Sequence, residues 1–156
     1  MRLSIPGVLT AGGLILAVIT SGCGGGESAG STLTGTVTLD GVPVESGTVQ
    51  FQPLGEGSTA YALIEDGEYT AFMSRSLSGI NPGNYRAAVL AYLVEPGAMD
   101  EQGKMFPNGK AAVPRRYLGY DTSGLQVDIA PGEDVVFDIE MSGPVEDLDA
   151  EGVGYQ

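Results

Sequence analysis

The sequence predicts an all-β fold, an antiparallel β-sandwich of about seven strands, on three observations. The first is composition: 25 Gly and 9 Pro against 4 Phe and no Trp in 156 residues favour many short elements joined by turns. The second is the alternation of apolar and polar residues in one short run after another, the period-two signature of half-buried strands. The third is the recurrence of Asp-Gly and Pro-Gly pairs between those runs, which is the chemistry of tight turns. A chain of this length has room for one such domain.

In chain order, residues 1–22 come first. Arg2 supplies a minimal positive charge, and Val8 to Thr20 form an apolar run that is too short to span a bilayer as a helix but suits the core of a secretory signal peptide. The residues Thr20-Ser21-Gly22 before Cys23 are similar to the bacterial lipobox, with Thr20 standing where Leu is usual. That resemblance implies cleavage before Cys23 and acylation of its thiol, and two or more acyl chains hold a protein on a membrane stably. Cys23 is the only cysteine, so no intramolecular disulfide forms and the fold rests on core packing. The Gly/Ser-rich stretch 23–32 reads as the anchor cysteine and a flexible linker.

That linker also contains Gly26-Glu27-Ser28-Ala29-Gly30, a match to the G-x-S-x-G elbow of serine esterases. The elbow needs a strand before its serine, a helix after it and an imidazole base beside it. Glycines precede Ser28, a strand-like run follows, and the chain contains no histidine. A lysine base would have to be Lys104 or Lys110, and both lie in a polar Gly/Pro-containing stretch. Ser28 therefore reads as a spacer residue.

The body of the chain runs from 33 to 141. In 33–39, Leu33, Val37 and Leu39 share one face and Thr34, Thr36 and Thr38 the other. Asp40-Gly41 follows, and the partner strand is expected in the next run, where Val49 and Phe51 alternate with Gln50 and Gln52. Residues 58–64 and 68–73 repeat the pattern around Asp66-Gly67. After Pro82-Gly83, residues 84–94 are apolar on both faces, as in a central strand covered on two sides. Residues 124–130 place Leu125, Val127 and Ile129 inward. Residues 134–141 do the same with Val135, Phe137, Ile139 and Met141, after a turn at Pro131-Gly132-Glu133.

The order of Gly35, Val37, Asp40, Gly41, Pro43, Val44, Gly47, Val49 and Phe51, then Asp66, Gly67 and Tyr69, then Pro82, Gly83 and Tyr85, resembles the carboxypeptidase-regulatory-like, transthyretin-like domains. The resemblance covers residues 33–141, and the later stretch 113–141 looks like the end of this domain in small lipoproteins of planctomycete-type bacteria. It implies the sandwich fold. It implies little about activity, because the shared residues are turn formers and core positions. Hydroxyisourate hydrolases share the transthyretin-like fold but use histidines and a C-terminal Tyr-Arg-Gly-Ser, whereas this chain has no histidine and ends Gly-Tyr-Gln.

Charge narrows the partners. Twenty acidic against seven basic residues give −13, which repels nucleic-acid phosphates and anionic headgroups, so no nucleic acid is expected. The absence of histidine removes the commonest general base and metal ligand, so neither a catalytic residue nor a metal or other cofactor is expected. The longest stretch without periodicity, 95–113, reads as an ordered insertion at the sheet edge, with a partner-contact loop as the other possibility. Arg115, Arg116, Tyr117 and Tyr120 form a basic and aromatic cluster suited to stacking on a sugar or gripping an anion; the plainer alternative packs Tyr117 at a sheet edge, with the arginines offsetting carboxylates.

The acidic tail 142–156 reads as disordered. Asp147, Asp149, Glu151 and Gly152 imitate the first half of a calcium loop, whose twelfth position falls past Gln156. Taken together, the expectation is a signal peptide (1–22), an anchored linker (23–32), a β-sandwich (33–141) and a tail (142–156). Such a protein is a non-catalytic module exported to a cell-envelope membrane, with an envelope protein, or alternatively a surface glycan, as its partner.

Overall fold

The computed structural model describes residues 27–146. The expected signal peptide, Cys23 and the calcium-loop imitation in the tail lie outside the described residues. The fold is all-β. Its principal strands are β1 (Thr32–Leu39), β2 (Ser46–Pro53), β3 (Ala60–Glu65), β4 (Glu68–Ser74), β5 (Gly83–Leu90), β6 (Leu125–Ile129), β7 (Asp134–Val136) and β8 (Ile139–Met141). They form a curled sheet in the order β6-β5-β2-β3-β4-β1, with β7 and β8 following one another along the outer side of β1.

Two hairpins follow directly from Asp-Gly pairs. Asp66 and Gly67 have φ of 53° and 83°, the left-handed pair that a two-residue turn between twisted strands requires, and they join β3 to β4 with Glu65 opposite Glu68. Asp40 and Gly41 repeat this at 50° and 81°. The second hairpin is short, however. Only Val42 and Pro43 pair back onto β1, and the expected pairing of the 46–53 strand with β1 is not met. Pro43 has no N–H for a ladder, and Val44 turns into the core with its N–H on the Val37 carbonyl. β2 then pairs with β3 and β5, while β4 takes one side of β1 through residues 34–36.

The ladder from β1 to β7 and β8 is parallel, a departure from the all-antiparallel expectation. It breaks at Phe137-Asp138, and there a side chain stands in for the missing backbone acceptor: Asp138 Oδ1 takes the Thr36 N–H at 2.8 Å and the Thr36 hydroxyl at 2.9 Å. Gly35 sits opposite this break. A Cβ on it would overlap the Phe137 carbonyl and press on the Tyr69 ring, so the close approach admits only glycine. The Tyr69 hydroxyl donates to that carbonyl at 2.5 Å.

The alternation predicted for each strand is what fills the core. Leu33, Val37, Val49 and Phe51 are fully buried, with Ala62, Ile64, Tyr69, Ile129, Ile139 and Met141 packed into the same cluster. Phe51 and Tyr69 meet with ring centroids 5.9 Å apart. β5 is covered on both sides as expected, since Ala87 and Val89 on one face and Ala88 on the other are all buried, but the run expected to continue to Val94 breaks at Ala91, beyond which Tyr92–Val94 pairs in a separate small sheet with Leu93 exposed. A 3-10 turn (Arg115–Leu118) and a one-turn helix (Tyr120–Ser123) lie against it, with the Ser123 hydroxyl on the Ala87 carbonyl at 2.6 Å.

Both ends of the domain extend beyond the predicted boundaries. Glu27–Ser28 pairs in parallel with Leu77–Ser78. Ser31 is buried, bridges to Ile80, and its hydroxyl donates to Ala130 O and accepts from Gly132 N–H. Residues 27–32, read as linker from their composition, are therefore part of the domain, because backbone pairing needs no apolar side chain to announce it. At the other end Ser142 and Glu146 are bonded to the 115–117 turn, so residues 142–146 are not free tail.

Candidate functional site

β1 gives the domain two ends. Its eight residues span about 23 Å at the usual rise. Thr32 lies at the end where Ser31, Ile80 and the 130–133 turn meet. Leu39 lies at the other, where the Asp40-Gly41 and Asp66-Gly67 turns, Tyr92 and the end of β8 gather. The first described residue, Glu27, belongs to the Thr32 end, and the aperiodic segment after β5 belongs to the Leu39 end.

That segment is ordered by short ladders. Tyr92–Val94 pairs with Lys110–Ala111, and Ala98–Met99 pairs with Met105–Phe106 around a turn in which Asp100 Oδ1 takes the N–H groups of Gln102 and Lys104. Ala111 and Val113 are buried and fix it to the domain. Gly109 (φ 68°) is forced by a close approach, because a Cβ there would meet the Val94 and Glu95 backbone. Between this segment and the 115–122 turns lies an open cavity of about 790 Å³, lined by Tyr92, Pro96, Pro107, Leu118, Arg115 and Arg116 among others.

The four predicted contact residues separate here. Arg115 and Arg116 line the cavity, whereas Tyr117 and Tyr120 do not. Tyr117 is buried in the core cluster, the Arg116 guanidinium lies 4.6 Å from its ring centre, and its hydroxyl accepts from Arg116 at 2.6 Å and from the Ser142 N–H at 3.2 Å. Stacking of a sugar on Tyr117 is thus corrected: its ring is a core element and a prop for Arg116. Tyr120 is half-buried, with its hydroxyl donating to Gln50 Oε1 at 2.6 Å, and burial raises its pKa, helped by nearby Tyr61. It holds the short helix to β2.

Sequence reasoning missed Tyr92 and Glu146 as cavity residues, while Pro96, Pro107 and Asn108 come from the 95–113 segment, for which partner contact is one of the two expectations. Tyr92 was absorbed into a strand pattern, and Glu146 comes from a stretch whose composition suggested disorder. Glu146 accepts the Arg115 N–H at 2.9 Å; that bond, its own N–H and the charges of Arg115 and Arg116 hold its carboxyl below the ordinary range, so it is ionised at neutral pH. Four of the chain's seven basic residues, Lys104, Lys110, Arg115 and Arg116, fall within 104–116. The two lysine ammoniums lie 5.5 and 5.1 Å from the Phe106 ring centre. In a protein of net charge −13, the charged residues that line this cavity are two arginines, Arg115 and Arg116, against one carboxylate, Glu146.

Ser28, the centre of the elbow-like match, has its backbone in the two-residue strand Glu27–Ser28, with β1 following rather than a helix. Among the described residues no group of three or more Asp, Glu, Cys or His side chains is placed to hold a metal ion. No protein-family model, curated protein or solved structure matches the chain.

Proposed function

We propose that the chain is an exported lipoprotein in which residues 1–22 act as a signal peptide, Cys23 carries the anchor, and the β domain is a non-catalytic module of the cell envelope for protein interaction or structural support. The polarity of the domain carries this reading. Glu27 is only four residues from Cys23, about 14 Å of extended chain, so an acyl anchor holds the Thr32 end near the membrane. The Leu39 end, with its cavity and basic cluster, then faces away from the bilayer, where a partner has access.

We read the domain as a β-sandwich of the carboxypeptidase-regulatory-like, transthyretin-like type. Supporting this, the residues that carry the resemblance serve as turn formers or core: Asp40-Gly41 and Asp66-Gly67 are tight turns, and Val37, Val49, Phe51, Tyr69 and Tyr85 are buried. A surface glycan is the alternative partner, favoured by the presence of Tyr92 and Asn108 beside the arginines in one cavity. Saturable oligosaccharide binding that is lost on Tyr92→Ala selects it.

The test of the anchor is intact mass on protein isolated from membranes. The expected product begins at an acylated Cys23, and Cys23→Ser yields an uncleaved, unacylated chain. A freely soluble product with an unmodified Cys23 thiol overturns the reading.

A further inference from the structure

One side of the cavity is closed by the chain's own C-terminal segment, through Glu146. After β8 the chain is clamped at Ser142, whose carbonyl accepts from Arg116 Nη2 at 2.7 Å while its N–H donates to the Tyr117 hydroxyl. Gly143 (φ 111°) redirects the backbone, and four residues past Ser142 the Glu146 carboxylate accepts the Arg115 N–H. Two successive arginine positions thus take a main-chain carbonyl and a carboxylate from one short segment. Around them Tyr92, Pro96, Pro107 and Leu118 offer apolar surface.

We infer that this cavity is a binding site for an acidic peptide segment of a partner protein, and that Glu146 is the internal occupant which that segment displaces. Charge complementarity favours this class of ligand, since the charged residues lining the cavity are Arg115, Arg116 and Glu146, and displacing Glu146 leaves two cations there. A peptide is favoured over a sugar because the groups in place take a peptide carbonyl and a carboxylate, while Tyr117 and Tyr120, which stacking would use, are engaged in packing. The latch can open because Glu146 is exposed, so water or a ligand carboxylate can replace either partner of the hydrogen bond that holds it. A ligand bringing several carboxylates and an apolar side chain competes well with a tethered group at an effective concentration of about millimolar.

The inference rests on the reading of the domain as a binding module and is independent of the anchor, which the mass measurement tests separately. The probe is a fluorescent peptide with the sequence of residues 143–149, Gly-Pro-Val-Glu-Asp-Leu-Asp, titrated into the detergent-purified protein and followed by anisotropy. Glu146→Gln is expected to bind it about fivefold more tightly than the wild type, because the internal competitor has lost its charge. A probe with Gln and Asn in place of Glu and Asp is expected to lose about tenfold, and so is the exposed variant Arg115→Gln, with affinity falling as salt rises. Equal binding of the charged and amide probes, no binding to either protein, or binding of a uronic-acid oligosaccharide in place of the peptide overturns it.

Discussion

The strands that lock around β1 and the segment from Tyr92 to Leu118 use the same apolar residue types to opposite ends. In β1 and β2, Leu33, Val37, Val49 and Phe51 are wholly buried, whereas Leu93 is 77% exposed, Met99 64% and Met105 50%. The difference lies in periodicity. Residues two apart on paired strands fall on one face and cover one another, while the ladders after β5 are only two or three residues long and repeat no face. Apolar surface therefore stabilises the first region, while in the second Val113 and Tyr117 anchor the segment and Leu93, Met99 and Met105 remain available for contact.

Substitutions can break that comparison, the largest effect first. Phe51→Ala removes a fully buried ring packed on Tyr69 and is expected to cost about 3–5 kcal/mol in a urea titration; a loss under about 1 kcal/mol would mean the core is not where the strands converge. Gly35→Ala places a Cβ against the Phe137 carbonyl, a backbone group that cannot simply rotate away, and is expected to cost about 2–3 kcal/mol. A near-neutral result there would show that the break between β7 and β8 is looser than its hydrogen bonds indicate.

Tyr69→Phe sharpens the picture further, with an expected loss of about 1–2 kcal/mol as the Phe137 carbonyl loses its donor. It also carries a pH signature. Burial, then the nearby Asp138 charge, raise the Tyr69 pKa well above its ordinary value of 10.0, so the folded state keeps a proton that the unfolded chain gives up. The contribution is fully present below pH 10 and is lost as pH rises beyond it. Stability of the wild type should fall more steeply than that of Tyr69→Phe on the alkaline side, and parallel curves would contradict the assignment.

At the small end, Leu93→Ser and Met99→Gln are expected to change stability by no more than about 0.5 kcal/mol. A loss above about 1 kcal/mol from Leu93→Ser would erase the distinction between the two regions. Amide exchange reads the same contrast without mutation: β4, paired on both sides, should exchange slowest, and the Ala98–Phe106 hairpin fastest.

Strand positions and inward faces were legible in the sequence wherever two-residue alternation met an Asp-Gly turn, as at Asp66-Gly67 and through Leu33, Val37, Val49 and Phe51. Pairing was not. Nothing local tells β2 to leave β1 after Pro43, because the choice depends on β4, β7 and β8 having already occupied both sides of β1. The candidate site was half legible: Arg115 and Arg116 stand out in an acidic chain, but Tyr92 and Glu146 reach them from 23 and 31 residues away.

By itself the sequence determined the all-β character, the turns, the core faces and the excess of negative charge, since each of these follows from the properties of neighbouring residues. Only the tertiary structure decided that Ser31 closes the domain, that Tyr117 is a core ring instead of a platform, and that the arginines hold Ser142 and Glu146 beside a cavity. Those outcomes depend on which distant backbone groups find one another, and local composition does not encode that.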